Sequence, residues 1–574
     1  MASITEIRRW LCVLAVTGSP AFGCNTALER EVTELLKSVE SARVAANQDW
    51  HRGPGVALGE TGPARFVPQL MGAFQPDRAM EIVEFIDQYY RAPANDGYDA
   101  SLDYVAKRLE AAGFGGDDPR FELRFIEQER TTKAWTPLRG SLTLTAPGVE
   151  KRVLHSFEAS GDKDRCMLPV NSPSCDVEGY IATDLDHLEE GFILVTDVPT
   201  RQVYRRAMSR GAAAVVSASL GTFNVDPTGK ERHLDAIQYR QLAADSELPA
   251  IQISQRSYAA ILDAHSKSSS ARLAIRASVR FDDRPLRTLV ACIVGNEKPD
   301  EAVVVVSHVQ EPGACDNATG VAGLIEGAVN TADLLRAGKM DWPARSLVFL
   351  SGDEFRQSRA WLDETRRRPV AAISSDMTGQ SRELTGAIAL LERMPDPGAL
   401  VPLPPDEHTP WGAGEVDASD LTPHGLNVIA RCAMVDVGVT DGGWECADHP
   451  WEGGSDHDVF NDRGVPAVLM WHFTDFAYHT SLDRMPMVDP AELRRTTAAI
   501  FATALAVADP LPGDLDRYVE TVAIERRVRI EAAEWEDDPA LVELWNDWCR
   551  DVRHSLRALC LDLPPDEAAA TEDE

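Results

Sequence analysis

The stretch that decides the fold is Glu301–Gly320, EAVVVVSHVQEPGACDNATG. Its apolar run, Ala302 to Val306, is four valines behind an alanine. β-Branched side chains crowd a helix but stand well on a pleated sheet, so the run predicts a strand buried on both faces. His308 closes the strand, a Gly/Pro loop follows, and Asp316 comes eight residues after the histidine. A helix is predicted from about Ala318 to Ala337. In open α/β sheets ligands bind at the carboxyl ends of the strands, so this strand delivers an imidazole and a carboxylate to that crevice.

Working outward, strands are predicted at 345–351, 370–376 and 466–471, alternating with helices that include 490–508. Upstream, helices are predicted at 78–90 and 100–112, the second stopped by Gly113. The alternation implies an α/β class, a mostly parallel mixed sheet with helices on both faces. Residues 140–285 interrupt it with a strand, helix, strand, strand and helix of their own. Residues 382–453, rich in Pro, Gly and Trp, read as a long ordered loop that walls a substrate site. Beyond Pro512 the chain reads as helical, with Leu541, Trp545, Trp548, Val552, Leu556 and Leu559 forming a packed stripe. The acidic stretch after Pro564 reads as disordered.

A formal net charge of −34 excludes nucleic-acid and anionic-membrane binding as the main role, since both need a basic face against phosphates. The N-terminus carries Arg8 and Arg9, a short apolar run and then TGSPAFGC. That run is too short to span a bilayer, so residues 1–24 read as an export signal. Ala21-Phe22-Gly23-Cys24 has the outline of a lipoprotein cleavage box with Ala where Leu is usual, which leaves lipidation of Cys24 and plain secretion both open. A lipid at Cys24 is the one membrane contact expected, and the compartment is periplasm, outer membrane or exterior. An amphipathic helix and a linker are expected over 25–76. In such a compartment disulfides persist, and among ten cysteines Cys166 with Cys175, then Cys432 with Cys446, are the expected pairs. Cys549 and Cys560 on one helix would lie about 16 Å apart, beyond bonding reach.

SHVQ followed by PGACDNATG, then SGDEF at 351–355, SSDMTG at 374–379, and GGSDHDVF through YHTSLD at 453–483 form an ordered set of motifs. The set resembles the co-catalytic di-zinc exopeptidases: bacterial leucine-type aminopeptidases, aminopeptidase Y and glutamate carboxypeptidase. The resemblance implies a zinc-exopeptidase catalytic domain over 77–139 and 286–511. It also implies that 140–285 is a protease-associated domain resting over the entrance, removable without loss of the metal centre, and that 512–574 is a helical extension. By the same resemblance two zinc ions are expected, one on His308 and Asp376 and the other on Glu354 and His479, with Asp316 bridging. Asp353 stands at the general base and Tyr478 at an oxyanion donor. Asp456, His457 and Asp458 are expected to support the pocket, and His472 to be structural.

Two positions depart from the family. Gln310 replaces the Asp that orients the first histidine, which leaves an amide to accept the imidazole N–H. Asp353 replaces a Glu and reaches less far. The expected activity is hydrolysis of peptides or small amides. A glutaminyl-peptide cyclotransferase and a non-catalytic binding protein are the alternatives, separable by a count of two zinc ions, one or none.

Overall fold

The computed structural model describes residues 61–570 apart from 148–150, 159–161, 187–189 and 402–415. The export signal, Cys24 and the expected helix within 25–46 lie outside the described residues. In chain order, β1 (Phe121–Gln128) precedes seven strands of a separate sheet. These are β2 (Ala134–Thr145), β3 (Arg152–Phe157), β4 (Cys175–Ala182), β5 (Ile193–Thr196), β6 (Ala214–Ser217), β7 (Ala250–Gln252) and β8 (Arg272–Asp282). The chain then returns through β9 (Leu286–Ile293), β10 (Lys298–His308), β11 (Arg345–Gly352), β12 (Arg368–Ser375), β13 (Ile388–Glu392), β14 (Cys446–His449) and β15 (Ala467–Phe473).

The larger sheet has the order β1-β9-β11-β10-β12-β15-β13-β14, with β11, β10, β12 and β15 mutually parallel at its centre. The valine run is β10, and its pleat sends alternate side chains to opposite faces. Val303 and Val305 join a core roofed by the helices Ala318–Arg336 and Pro490–Ala508. Val304 and Val306 face the other way, onto Trp361 and Phe460. All four are fully buried, each contributing roughly 1.5–3 kcal/mol. The central parallel strands deliver β10, β11 and β12 to one edge with His308, Gly352 and Ser375 at their ends, directly before the loops that carry the acidic motif residues.

The second sheet, β3-β2-β8-β4-β5-β6-β7, hangs from one point of the first. β1 pairs with β9 as far as Gln128 opposite Leu286, and β2 opens against β8 with Ala134 opposite Asp282, so the chain leaves and returns side by side. Both sheets belong to one compact unit.

Residues 382–453 correct the sequence reading of a loop. They hold β13, β14 and the helix Leu426–Thr440, which is buried almost throughout and packs on Pro490–Ala508. A helix buried on nearly every side, with its Arg431 and Asp436 paired inside the protein, has no amphipathic rhythm to betray it. The stripe after Pro512 lies on Pro539–Leu561, with Trp545, Trp548, Val552 and Leu556 buried, and Pro565–Ala570 is a short helix where disorder was expected. All eight described cysteines are free thiols, so neither expected disulfide forms. Cys166 points into the core of the second sheet while Cys175 lies on β4 opposite Ala277, and Cys432 sits inside its helix beside Thr521. Burial pushes the Cys166 thiol up to about 12.

The helix Ala318–Arg336 approaches Pro490–Ala508 through Gly327, where an added Cβ would stand 2.1 Å from the Phe501 ring. Gly327→Ala is expected to lower unfolding free energy by about 1–3 kcal/mol through overpacking, read from urea denaturation midpoints at unchanged slope.

Candidate active site

Asn317 caps the helix Ala318–Arg336 by accepting from Gly320 N (3.0 Å), and the same oxygen accepts from Met377 N (3.0 Å), tying the loop to the end of β12. Thr319 Oγ1 donates to Cys315 O (2.7 Å) and accepts from Thr378 N (3.1 Å). A Cβ at Gly320 would meet Asn317 Oδ1 at 2.2 Å and Ser375 O at 2.3 Å, so only glycine fits this approach. Asp483 then accepts from Cys315 N (2.7 Å) and Asp316 N (2.9 Å), one bond on each carboxylate oxygen. Two buried arginines brace the preceding turn. Arg91 donates to the carbonyls of Val309 (2.8 Å) and Gly313 (2.5 Å), and Arg165, from the second sheet, donates to Pro312 O and to Asp87 Oδ1 (2.8 Å).

This frame brings His308, Asp316, Glu354, Asp376 and His479 into one crevice. His308 Nε2 lies 3.1 Å from Asp376 Oδ1, 3.7 Å from Asp316 Oδ1 and 4.0 Å from Glu354 Oε1. His479 Nε2 lies 3.0 Å from Asp316 Oδ2. Asp316 therefore faces both histidines. Glu354 sits on the His308 side, and the contact at His479 comes from Glu311, whose Oε2 is 2.8 Å away. Glu311 was not among the sequence candidates. Its only local signal is a carboxylate one residue beyond Gln310 in the same turn.

The groups fit a metal. His308 Nδ1 meets the backbone carbonyl of Gln310 at 3.1 Å, so that nitrogen carries a hydrogen and Nε2 is the atom that faces three carboxylates. Three carboxylates around Nε2 call for positive charge there, which a proton on the ring supplies and a metal ion displacing that proton would supply in its place. Asp376 Oδ1 is buried with no hydrogen-bond partner, while Oδ2 accepts from Ser455 Oγ (2.8 Å). Ligands about 2.0–2.2 Å from a tetrahedral zinc stand roughly 3.3–3.5 Å from one another, inside the spread of 3.0–4.0 Å here. The charges agree. Burial pushes the Glu354 and Asp316 carboxyls well above their usual range. Against the penalty of burial, Asp376 and Glu354 raise the His308 imidazole well above its own.

Gln310 departs from the sequence expectation in detail. Its backbone carbonyl, not its amide, orients His308, and the amide holds Glu354, accepting from Glu354 N (2.8 Å) and donating to Glu354 Oε2 (3.3 Å). Asp456 fixes the turn after β11, accepting from Phe355 N (3.0 Å), Gln357 Nε2 (2.7 Å) and Ser358 Oγ (2.6 Å). His457 meets Glu392 at 2.9 Å, Asp458 accepts from Gly454 N (2.8 Å), and His472 lies between Met377 O and Glu492. Asp353, Glu354 and Glu311 line a cavity of ≈ 430 Å³ whose other wall includes Trp135 and Tyr239 of the second sheet's segment. Burial pushes the Asp353 carboxyl up to about 6 against the pull of Arg356, 3.4 Å away, and Arg130. The Tyr478 ring stacks on His479 with centroids 3.8 Å apart, and burial with the neighbouring Asp316 holds its phenol well above its usual range.

No family model matches the chain. It is 24% identical over 391 residues, 66% of its length, to 68% of the probable lipoprotein aminopeptidase LpqL of Mycobacterium tuberculosis. A Peptidase M28 precursor from Shewanella amazonensis SB2B superposes with TM-score 0.51 at 17% identity, over 78% of this chain and 96% of that one. BSAP, a zinc aminopeptidase from Bacillus subtilis, gives 0.50 at 13%, over 76% and 95%. The fold is the one these peptidases share. At that identity the likeness speaks for architecture, and the chemistry rests on the crevice.

Asp483 bonds two consecutive amides that fix Asp316. Asp483→Ala is expected to weaken metal binding about 10–100-fold with a smaller loss of stability, read by competition with a chromophoric chelator.

Proposed function

We propose that the chain is an exported zinc-dependent exopeptidase, an aminopeptidase acting on peptides or small amides. The observation that carries this is the convergence of His308, Asp316, Glu354, Asp376 and His479 on one crevice with the Asp353 carboxyl in the adjoining cavity. The relative's name, a lipoprotein aminopeptidase, supports both the activity and the export. Among the described residues no helix is long and apolar enough to cross a membrane.

His308 and Asp376 would hold one zinc ion and His479 the other, and Asp316, which faces both histidines, would serve both. Glu354 completes the site, its placement set by Gln310, and Glu311 adds a carboxylate beside His479. At such a site zinc supplies Lewis-acid polarisation of a carbonyl and activation of water near neutral pH. Asp353 takes the proton from the attacking water and returns it to the leaving amine, a task suited to a carboxyl raised to about 6. Tyr478 keeps its proton at neutral pH and serves as a donor to the developing oxyanion. The cavity beside the crevice receives the substrate.

The purified protein is expected to carry two zinc ions by elemental analysis. One ion would favour the cyclotransferase alternative, and none would favour a binding protein. His308→Ala and His479→Ala are each expected to lose metal and activity together, and normal turnover with full zinc in either would end the assignment.

Asp353→Asn is expected to keep both ions while kcat falls about 10²–10⁴-fold in steady-state assays. Because the base must be ionised, wild-type kcat/KM is expected to fall as pH drops through about 6, and this limb should vanish in the Asn variant.

A further inference from the structure

The second sheet does more than wall the cavity. Its segment 221–241, between β6 and β7, runs along residues 476–481, the stretch that presents His479. Asn224 Nδ2 donates to Phe476 O (2.8 Å) and Tyr478 O (3.0 Å). His479 O accepts two bonds of 2.7 Å, from Gln238 Nε2 and from Tyr239 N. Ser481 N donates to Ile237 O (2.9 Å), and Ile237 N to Ser481 Oγ (3.1 Å). The carbonyls of Phe476, Tyr478 and His479 thus all accept from the second sheet's segment.

The donors are themselves fixed. Gly221 N donates to Asn224 Oδ1 and Gln238 Oε1, each at 3.1 Å, which settles both amide orientations. Asn224 is 1% exposed and Gln238 2%. The Tyr239 ring meets the His479 imidazole edge to face at 5.6 Å. His479 needs this support, because its φ of +54° lies in the left-handed region that a side chain with a Cβ disfavours. Its imidazole is directed at Asp316 and Glu311 only while the backbone is kept there.

We propose that Asn224, Gln238 and Tyr239 are positioning residues for His479, so that capture of the metal on the His479 side depends on the second sheet. This rests on the metallopeptidase reading above. On this inference, deleting 140–285 empties that half of the centre, in contrast to the removable cover that the sequence suggests.

The test uses full-length Gln238→Glu and Asn224→Asp, which preserve shape but replace an amide N–H donor with a carboxylate facing a carbonyl. Zinc is titrated into the chelator-stripped protein against a competing indicator, and the metal-free melting temperature is recorded alongside. The expected result is a 10–100-fold rise in Kd for one ion, the other ion unchanged, the metal-free melting temperature within a few degrees of wild type, and activity restored by excess zinc. Wild-type affinity for both ions in both variants would overturn the positioning role while leaving the metallopeptidase reading intact. Parallel loss of both ions with a collapsed metal-free melting temperature would reduce the contact to general packing and overturn it as well. A wild-type protein that takes up no zinc would overturn both proposals.

Discussion

The constraint on which this structure depends is the crowding of buried Asp316 and Asp376 and half-buried Glu311 and Glu354 around two histidines in one crevice. Carboxylates removed from water repel one another and lose hydration, so the fold must supply donors or positive charge. Ser455 and the Glu354-holding amide of Gln310 each meet a carboxylate oxygen that faces away from the histidines. The oxygens that face inward have the two imidazoles and space between them, which is the arrangement a cation completes. Burial, with the neighbouring carboxylates adding to it, lifts Glu354 and Asp316 well above their usual range, a cost that a cation held among them would relieve.

Around that crevice the fold acts as a brace. Asp483 reaches back to the amides of Cys315 and Asp316, Arg91 holds the turn before them, and Asp456 gathers the amide of Phe355 with the side chains of Gln357 and Ser358. Each uses a charged group fully committed to the backbone or to a neighbouring donor, which keeps ligand loops in place at low entropic cost once folded. Arg165 and the 221–241 segment extend the brace from the second sheet, so the inserted residues belong to the site's architecture as well as to its entrance.

The architecture also explains why positions that depart from a motif need not disable it. Gln310 lacks the charge of the expected Asp, yet His308 is oriented by the Gln310 carbonyl, which any residue there would provide. The side chain is free to hold Glu354 from two sides. A substitution judged by its side chain alone misses such an exchange of duties between backbone and side chain.

What the sequence by itself determined was the local order: a doubly buried valine strand, its neighbours in a parallel sheet, and acidic and histidine residues placed directly after strand ends. Those features are contiguous in the chain and set by β-branching, periodicity and turn residues, so they are legible without contacts. Tertiary structure decided the rest. Gln238 meets His479 across 241 residues and Asp483 meets Asp316 across 167, separations over which no local pattern carries information. The helix Leu426–Thr440 shows no amphipathic face because it is buried on nearly every side, its Arg431 and Asp436 paired with Asp448 and Arg517, partners that only the tertiary structure brings up. Glu311 enters the site because the turn after His308 adopts a positive φ of 86°, a backbone choice fixed by the surrounding loops rather than by the residue itself.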